Sequence, residues 1–245
     1  MAKISIITVV RNDEKHIEQT IRSVLDQTFT DYEYLVIDGA STDGTLNIIK
    51  KYEDRLTWIS EPDKGIYDAM NKGLRMARGE YVLFLNSGDS FFDGKVLEKV
   101  FSSAPDADVY YGDTVIVDES GQILGPRRLR PPGTLDWRSF RKGMLVSHQA
   151  FIPKRALCPE YDLRYKYSAD FDWTIKVLKK ARKTVNTGIV IVKYLDGGET
   201  KKHLKESLKE RFRIMAHYYG FVTTVIRHIG FALRLTWFYL RKRWF

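Results

Sequence analysis

The first ninety residues alternate short β-branched apolar runs with segments whose apolar residues recur at helical spacing, and that alternation leaves few folds open. Ile4 to Val10, Tyr34 to Ile37, Leu56 to Ser60 and Tyr81 to Leu85 read as strands. Between them, Ile17, Ile21, Val24 and Leu25, then Leu46, Ile48 and Ile49, then Ala69, Met70, Leu74 and Ala77 fit helices, the last ended by Gly79. Strand and helix in turn predict right-handed βαβ units and an α/β fold with a mostly parallel sheet. Tyr81 to Leu85 is continuous enough to be a central strand.

In such a sheet, ligands sit beyond the carboxyl ends of the strands. There the run Tyr34 to Ile37 delivers Asp38 to the turn Gly39-Ala40-Ser41-Thr42-Asp43-Gly44-Thr45. Its short polar side chains suit either a ligand loop or a well-capped helix start, and local chemistry alone favours neither.

After residue 95 the pattern loosens. Val109 to Val117 and Gln122 to Leu124 look like strands around the turn Asp118 to Gly121, which predicts a mixed second half. Arg127 to Gly133 is a basic, proline-stiffened loop, and Ser147 to Ile152 precedes a break at Pro153. Ser168 to Trp173 leads into a helix carrying Ile175 and Leu178, and Ile189 to Val192 follows as a strand.

From Phe212 onward, Tyr218, Tyr219, Phe221, Phe231, Trp237, Phe238, Tyr239, Trp244 and Phe245 mix with Arg211, Arg227, Arg234 and Arg241 to Arg243. The cations interrupt it too often for a spanning helix, which needs about 20 apolar residues. Aromatic and cationic side chains together suit a lipid headgroup interface, with docking on a partner protein as the alternative. The expected organisation is a binding half over 1–95, a second half of the same domain over 96–200, and a basic aromatic helical tail over 201–245.

A formal charge of +9 predicts an anionic partner. No nucleic-acid-reading motif accompanies it, so nucleic acid is not the expected partner. The first βα turn has no Gly-x-Gly-x-x-Gly, which disfavours a dinucleotide dehydrogenase. Cys158 is the only cysteine, so no intrachain disulfide forms and a reducing cytoplasm is expected. The β-branched run near the start lacks a small-residue cleavage site and reads as a strand, with no signal peptide.

Five motifs in order resemble family-2 glycosyltransferases of the GT-A fold, which use nucleotide-diphosphate sugars. They are Ile6 to Asn12, Asp38 to Thr45, Asp63-Lys64-Gly65, Asn71-Lys72-Gly73, and Arg78-Gly79-Glu80-Tyr81 running into Asn86-Ser87-Gly88-Asp89. The resemblance covers roughly Lys3 to Val192. It implies that Thr8, Val10, Arg11, Asp38, Ser41, Asp63, Lys64, Asn71, Arg78, Asn86 and Ser87 bind the nucleotide, usually of uridine. A carboxylate can accept an imide N–H, and Arg11 or Lys64 can offset diphosphate charge.

The family commonly places an acidic pair after the central strand to hold Mg²⁺ or Mn²⁺. Here Asn86 and Gly88 stand where acids are usual, which leaves Asp89 as the expected metal ligand. Ser168-Ala169-Asp170-Phe171-Asp172 looks like the family's catalytic acidic motif, with Ala169 where Glu is usual and Asp170 as the implied base. His148 and Asp172 are candidates for the acceptor side. His203, after Gly197-Gly198-Glu199-Thr200, is a candidate to close over the diphosphate.

The expectation is an inverting glycosyltransferase on the cytoplasmic face of the membrane, peripheral to it, acting on a lipid-linked or polysaccharide acceptor. The alternative, raised by Asn86, Gly88 and Ala169, is a membrane-associated nucleotide-sugar binder without transfer. Donor turnover separates the two.

Overall fold

The computed structural model describes residues 2–197 and 203–230. Strands β1 (Ile4–Val10), β2 (Tyr32–Asp38), β3 (Thr57–Ser60) and β4 (Tyr81–Phe84) form a parallel sheet in the order β3-β2-β1-β4. Helices α1 (Ile17–Leu25), α2 (Thr45–Lys50) and α3 (Ile66–Met76) make the crossovers. Every residue of β1 is buried because both faces are covered, and the two-residue period sorts its side chains between two cores. Ile4, Ile6 and Val10 pack with Ile17, Ile21 and Val24 of α1. Ile7 and Val9 pack with Met70 and Leu74 of α3 and with Phe171 and Trp173 of α5 (Ala169–Lys180). Val10, Asp38 and Ser60 lie level across three strands, so the turns that follow share one edge.

The second sheet is mixed. It runs β5 (Ser90–Phe91), β9 (Thr184–Leu195), β6 (Val109–Val117), β7 (Ile123–Pro126), with β8 (Phe151–Pro153) also on β6. Only β6 and β9 pair in parallel. Helix α4 (Val96–Ser102) lies between β5 and β6 in the chain.

Three elements differ from expectation. Helix α3 stops at Met76 because Ala77 turns to an extended backbone, and Gly79 instead presses on β1, where a Cβ would sit 2.5 Å from the Ser5 nitrogen. Strand β4 ends the parallel sheet's strand order, and a single bridge from Tyr81 to Lys154 carries the surface on toward β8, so all four of its residues are still buried. Strand β9 begins at Thr184, before Ile189, because β6 pairs along its whole length.

The expected tail is partly core. Helix α6 (Leu204–Tyr219) buries Ser207, Ile214 and Met215, and Tyr218 donates its hydroxyl to Asp172 of α5 at 2.8 Å. Tyr219 stacks on Trp137 at 5.6 Å and donates to its carbonyl. These tyrosines therefore close the domain and do not face a headgroup layer. A second helix, 221–230, folds back so that Phe212 meets the rings of Phe221 and His228. It leaves Phe221, Val222, Ile226 and Ile229 exposed. Among the described residues, no helix is long and apolar enough to cross a membrane. The aromatic residues from Phe231 to Phe245 lie outside the described residues.

Candidate active site

Loops from three strands meet at the carboxyl edge and are tied by short polar side chains. The Asn12 backbone takes the left-handed region (φ 51), which lets its side-chain oxygen accept the Thr42 N–H at 2.8 Å while its own N–H reaches Ser41 at 2.7 Å. Asp13 accepts the Ser87 hydroxyl at 2.6 Å, and its N–H donates to Thr45 at 2.9 Å. Gly39 allows a close approach: a Cβ there would collide with the Asp63 carboxylate, with Arg11 Cβ beside it. Arg11, Asp63 and Lys64 thus lie on or beside one edge, with Arg11 and Lys64 exposed.

Several expected nucleotide contacts are committed elsewhere. The Thr8 side chain is fully buried, its hydroxyl donating to the Leu85 carbonyl at 2.7 Å beside the Tyr34 phenol, so it cannot meet a base. Val10 points into the apolar core. Asp38 is fully buried and accepts from the Ser41 N–H and hydroxyl and from the Ser60 hydroxyl at 2.7 Å. Asp38 and Ser41 therefore shape the loop and offer no free side chain to a ligand. Asn71 clamps the backbone of Tyr161, donating to its carbonyl at 3.1 Å and accepting its N–H at 2.7 Å. Arg78 precedes β4 and stands at the amino edge of the sheet, roughly 20 Å along β1 from Arg11. Asn86 stays at the carboxyl edge, where its side-chain oxygen is buried without a hydrogen-bond partner.

Asp89 turns inward. One carboxylate oxygen accepts from Gln149 at 2.9 Å and the other from the Leu195 N–H at 3.1 Å, so it joins the two sheets and does not face a diphosphate. Among the described residues, no three His, Cys, Asp or Glu side chains are grouped to hold a metal. The expected Mg²⁺ or Mn²⁺ site on Asp89 does not fit this arrangement.

Burial pushes the Asp89 carboxyl up to about 7, against the two hydrogen bonds. An unfolded Asp89 loses its proton near 3.8 while the native one keeps it to about 7. Its contribution is therefore complete below the lower value and lost as pH rises through the higher one. In urea titrations Asp89→Asn should gain on the parent by about 1.4 kcal/mol per pH unit between those limits. A difference flat with pH would contradict this.

On the opposite side, α5 presents Asp170 from its first turn. Tyr67, one residue into α3 and just past Asp63-Lys64-Gly65, donates its hydroxyl to Asp170 at 3.1 Å. Burial, and next the Asp170 charge, hold that phenol well above its ordinary value, so it remains a donor. Tyr67 was not singled out from sequence, although its place directly after the Gly65 turn was a signal.

Asp172 lies two positions on, about 200° around the helix, and points away. It accepts from Tyr218 and pairs with Lys176 at 2.7 Å, so it is not an acceptor contact. His148 is packed between Phe84 and Trp173 and bound to the Tyr161 hydroxyl at 2.6 Å. Burial lowers its pKa to about 4, leaving a neutral packing residue and not an acceptor ligand. His203 stacks on Tyr167 at 4.6 Å, while residues 198–202 lie outside the described residues.

Known proteins resemble this chain in sequence and in fold. A PGL/p-HBAD biosynthesis glycosyltransferase of Mycobacterium bovis is 30% identical over 218 residues, covering 84% of this chain and 82% of that protein. The Escherichia coli UDP-Glc:alpha-D-GlcNAc-diphosphoundecaprenol beta-1,3-glucosyltransferase WfaP is 24% identical over 243 residues, covering 93% and 96%. In structure, S. aureus TarS 1–349 in complex with UDP-GlcNAc gives a TM-score of 0.72 at 21% identity, covering 94% of this chain and 73% of that one. Against the UDP complex of the same fragment the chain spans 64% of that chain's length. The model of the family described as Glycosyl transferase family 2 matches residues 5–159, more than half of the sequence, and the chain belongs to that family: it is a glycosyltransferase.

Proposed function

We propose that the enzyme moves a sugar from a uridine diphosphate donor to a hydroxyl of a lipid-linked or polysaccharide acceptor, with inversion at the anomeric carbon. The observation that carries this reading is the Tyr67–Asp170 hydrogen bond, which sets a carboxylate against the first turn after the donor-side loop. Arg11, Asp63, Lys64, Asn86 and Ser87 are the donor-side residues, and the first of these offsets diphosphate charge. Asp170 takes the acceptor proton as the hydroxyl oxygen attacks, and the nucleoside diphosphate leaves from the opposite face. Residues 1–95 serve the donor and 96–200 the acceptor. WfaP's name, with its diphosphoundecaprenol acceptor, supports a lipid-linked substrate.

Incubating the chain with a panel of uridine diphosphate sugars tests this. Donor turnover with an anomerically inverted product is expected. Donor binding without turnover would favour the nucleotide-sugar binder, and no binding would overturn both.

The exposed face of Phe221, Val222, Ile226 and Ile229 supports attachment to the inner face of the membrane. Removing residues 221–245 should shift the chain from sedimenting anionic vesicles to the supernatant while leaving its melting temperature nearly unchanged. A cut before Ile214 would instead strip Ile214 and Met215 from the core. Sedimentation unaltered by the shorter deletion would count against membrane attachment through this segment.

A further inference from the structure

Among the described residues, Arg127 and Arg211 stand without a carboxylate partner. Arg127, just past β7, donates its N–H to the Thr114 carbonyl at 3.3 Å and one guanidinium nitrogen to the Met144 carbonyl at 3.2 Å. Arg211 lies on α6, one turn after Ser207 and next to Glu210. Ser207 meets the Ser168 hydroxyl at 2.9 Å, and Glu210 accepts the Lys166 and Tyr167 N–H groups at 2.8 Å each. These contacts dock α6 on the residues that lead into α5, which brings Arg211 toward the end of α5 that carries Asp170.

The Nε of Arg211 is shut off from solvent and has no hydrogen-bond partner. Among the described residues neither arginine is in an ion pair, in contrast to Arg130, which pairs with Asp113. Burial lowers the pKa of the Arg127 guanidinium; the Arg211 charge adds to this, while Tyr194 and Asp170 oppose it. Neighbouring like charges repel, and an anion held between them offsets that repulsion. The guanidinium fork matches phosphate oxygens two at a time.

We propose that Arg127 and Arg211 together form a phosphate-binding clamp beside Asp170, gripping a phosphate group of a bound substrate. The assignment rests on the transferase reading and names a substrate feature of the same site. Two sources offer the phosphate: the donor's diphosphate, or a phosphate on the acceptor next to the sugar that is extended.

Calorimetric titration of the chain with inorganic pyrophosphate, UDP and uridine tests it in the parent, Arg127→Gln and Arg211→Gln. Pyrophosphate affinity should fall about tenfold or more in each variant, with uridine affinity unchanged. Repeating the pyrophosphate titration at saturating UDP separates the sources. Loss of pyrophosphate binding assigns the clamp to the donor, and binding that persists assigns it to the acceptor.

Arg127→Lys and Arg211→Lys keep the charge but lose the fork and should fall between the extremes. They carry the test if a Gln variant fails to melt cooperatively. Variants that bind pyrophosphate as the parent does, or that alter only the pH profile of turnover, overturn the clamp alone. A parent that binds UDP but no pyrophosphate also overturns it. A parent that binds neither overturns the transferase reading as well.

Discussion

Asp170→Asn lowers the turnover of sugar transfer by about 10²- to 10⁴-fold while donor affinity stays close to that of the parent. Asn cannot take the proton of the attacking hydroxyl, yet it still accepts the Tyr67 hydroxyl that Asp170 holds at 3.1 Å. Asn also serves a helix start as well as Asp does, so the substitution separates proton transfer from a capping role in the first turn of α5. Steady-state rates with a fixed donor, read beside thermal melts, give the answer. A rate within threefold of the parent would remove Asp170 as the base.

Trp173→Ala costs about 3–5 kcal/mol of folding stability. Its indole is 1% exposed, lies parallel to Tyr161 at 5.0 Å, and meets Phe84 and Phe151 edge-on. Its Nε1 donates to the Pro159 carbonyl at 2.8 Å, so truncation leaves both a void and an unpaired buried acceptor. Trp173 sits less than one turn after Asp170, so the same change should loosen the base and reduce turnover in whatever fraction stays folded. Urea unfolding of the Ala and Phe variants measures it, with Phe expected between Ala and parent. A loss below about 1 kcal/mol for Ala would mean that this aromatic cluster does not hold the two halves together.

The parallel half was legible because burial on both faces turns β1, β2 and β4 into continuous apolar runs. Strand order in the second half was not, since β9 lies beside β6 through pairing across more than seventy residues of chain. Motif positions told which loops meet, but not which way a side chain faces. Asp170 and Asp172 look alike in sequence and diverge because the helix turns about 100° per residue. Asp38 reads as a ligand group from its place after a strand, and Asp89 from the family resemblance, yet hydrogen-bond donors within the fold claim both. Arg78 carried a usable signal that went unread: a residue just before a parallel strand stands at the amino edge, opposite the ligand. Arg127 and Arg211 come from segments that no local spacing relates.

The central claim is a nucleotide-sugar site on the carboxyl edge of the sheet, facing Asp170. Isothermal titration of the chain with UDP tests it most directly, with Lys64→Ala and Arg11→Ala alongside. The account predicts saturable binding at one site, weakened in both variants; no heat from UDP or any other nucleoside diphosphate would contradict it.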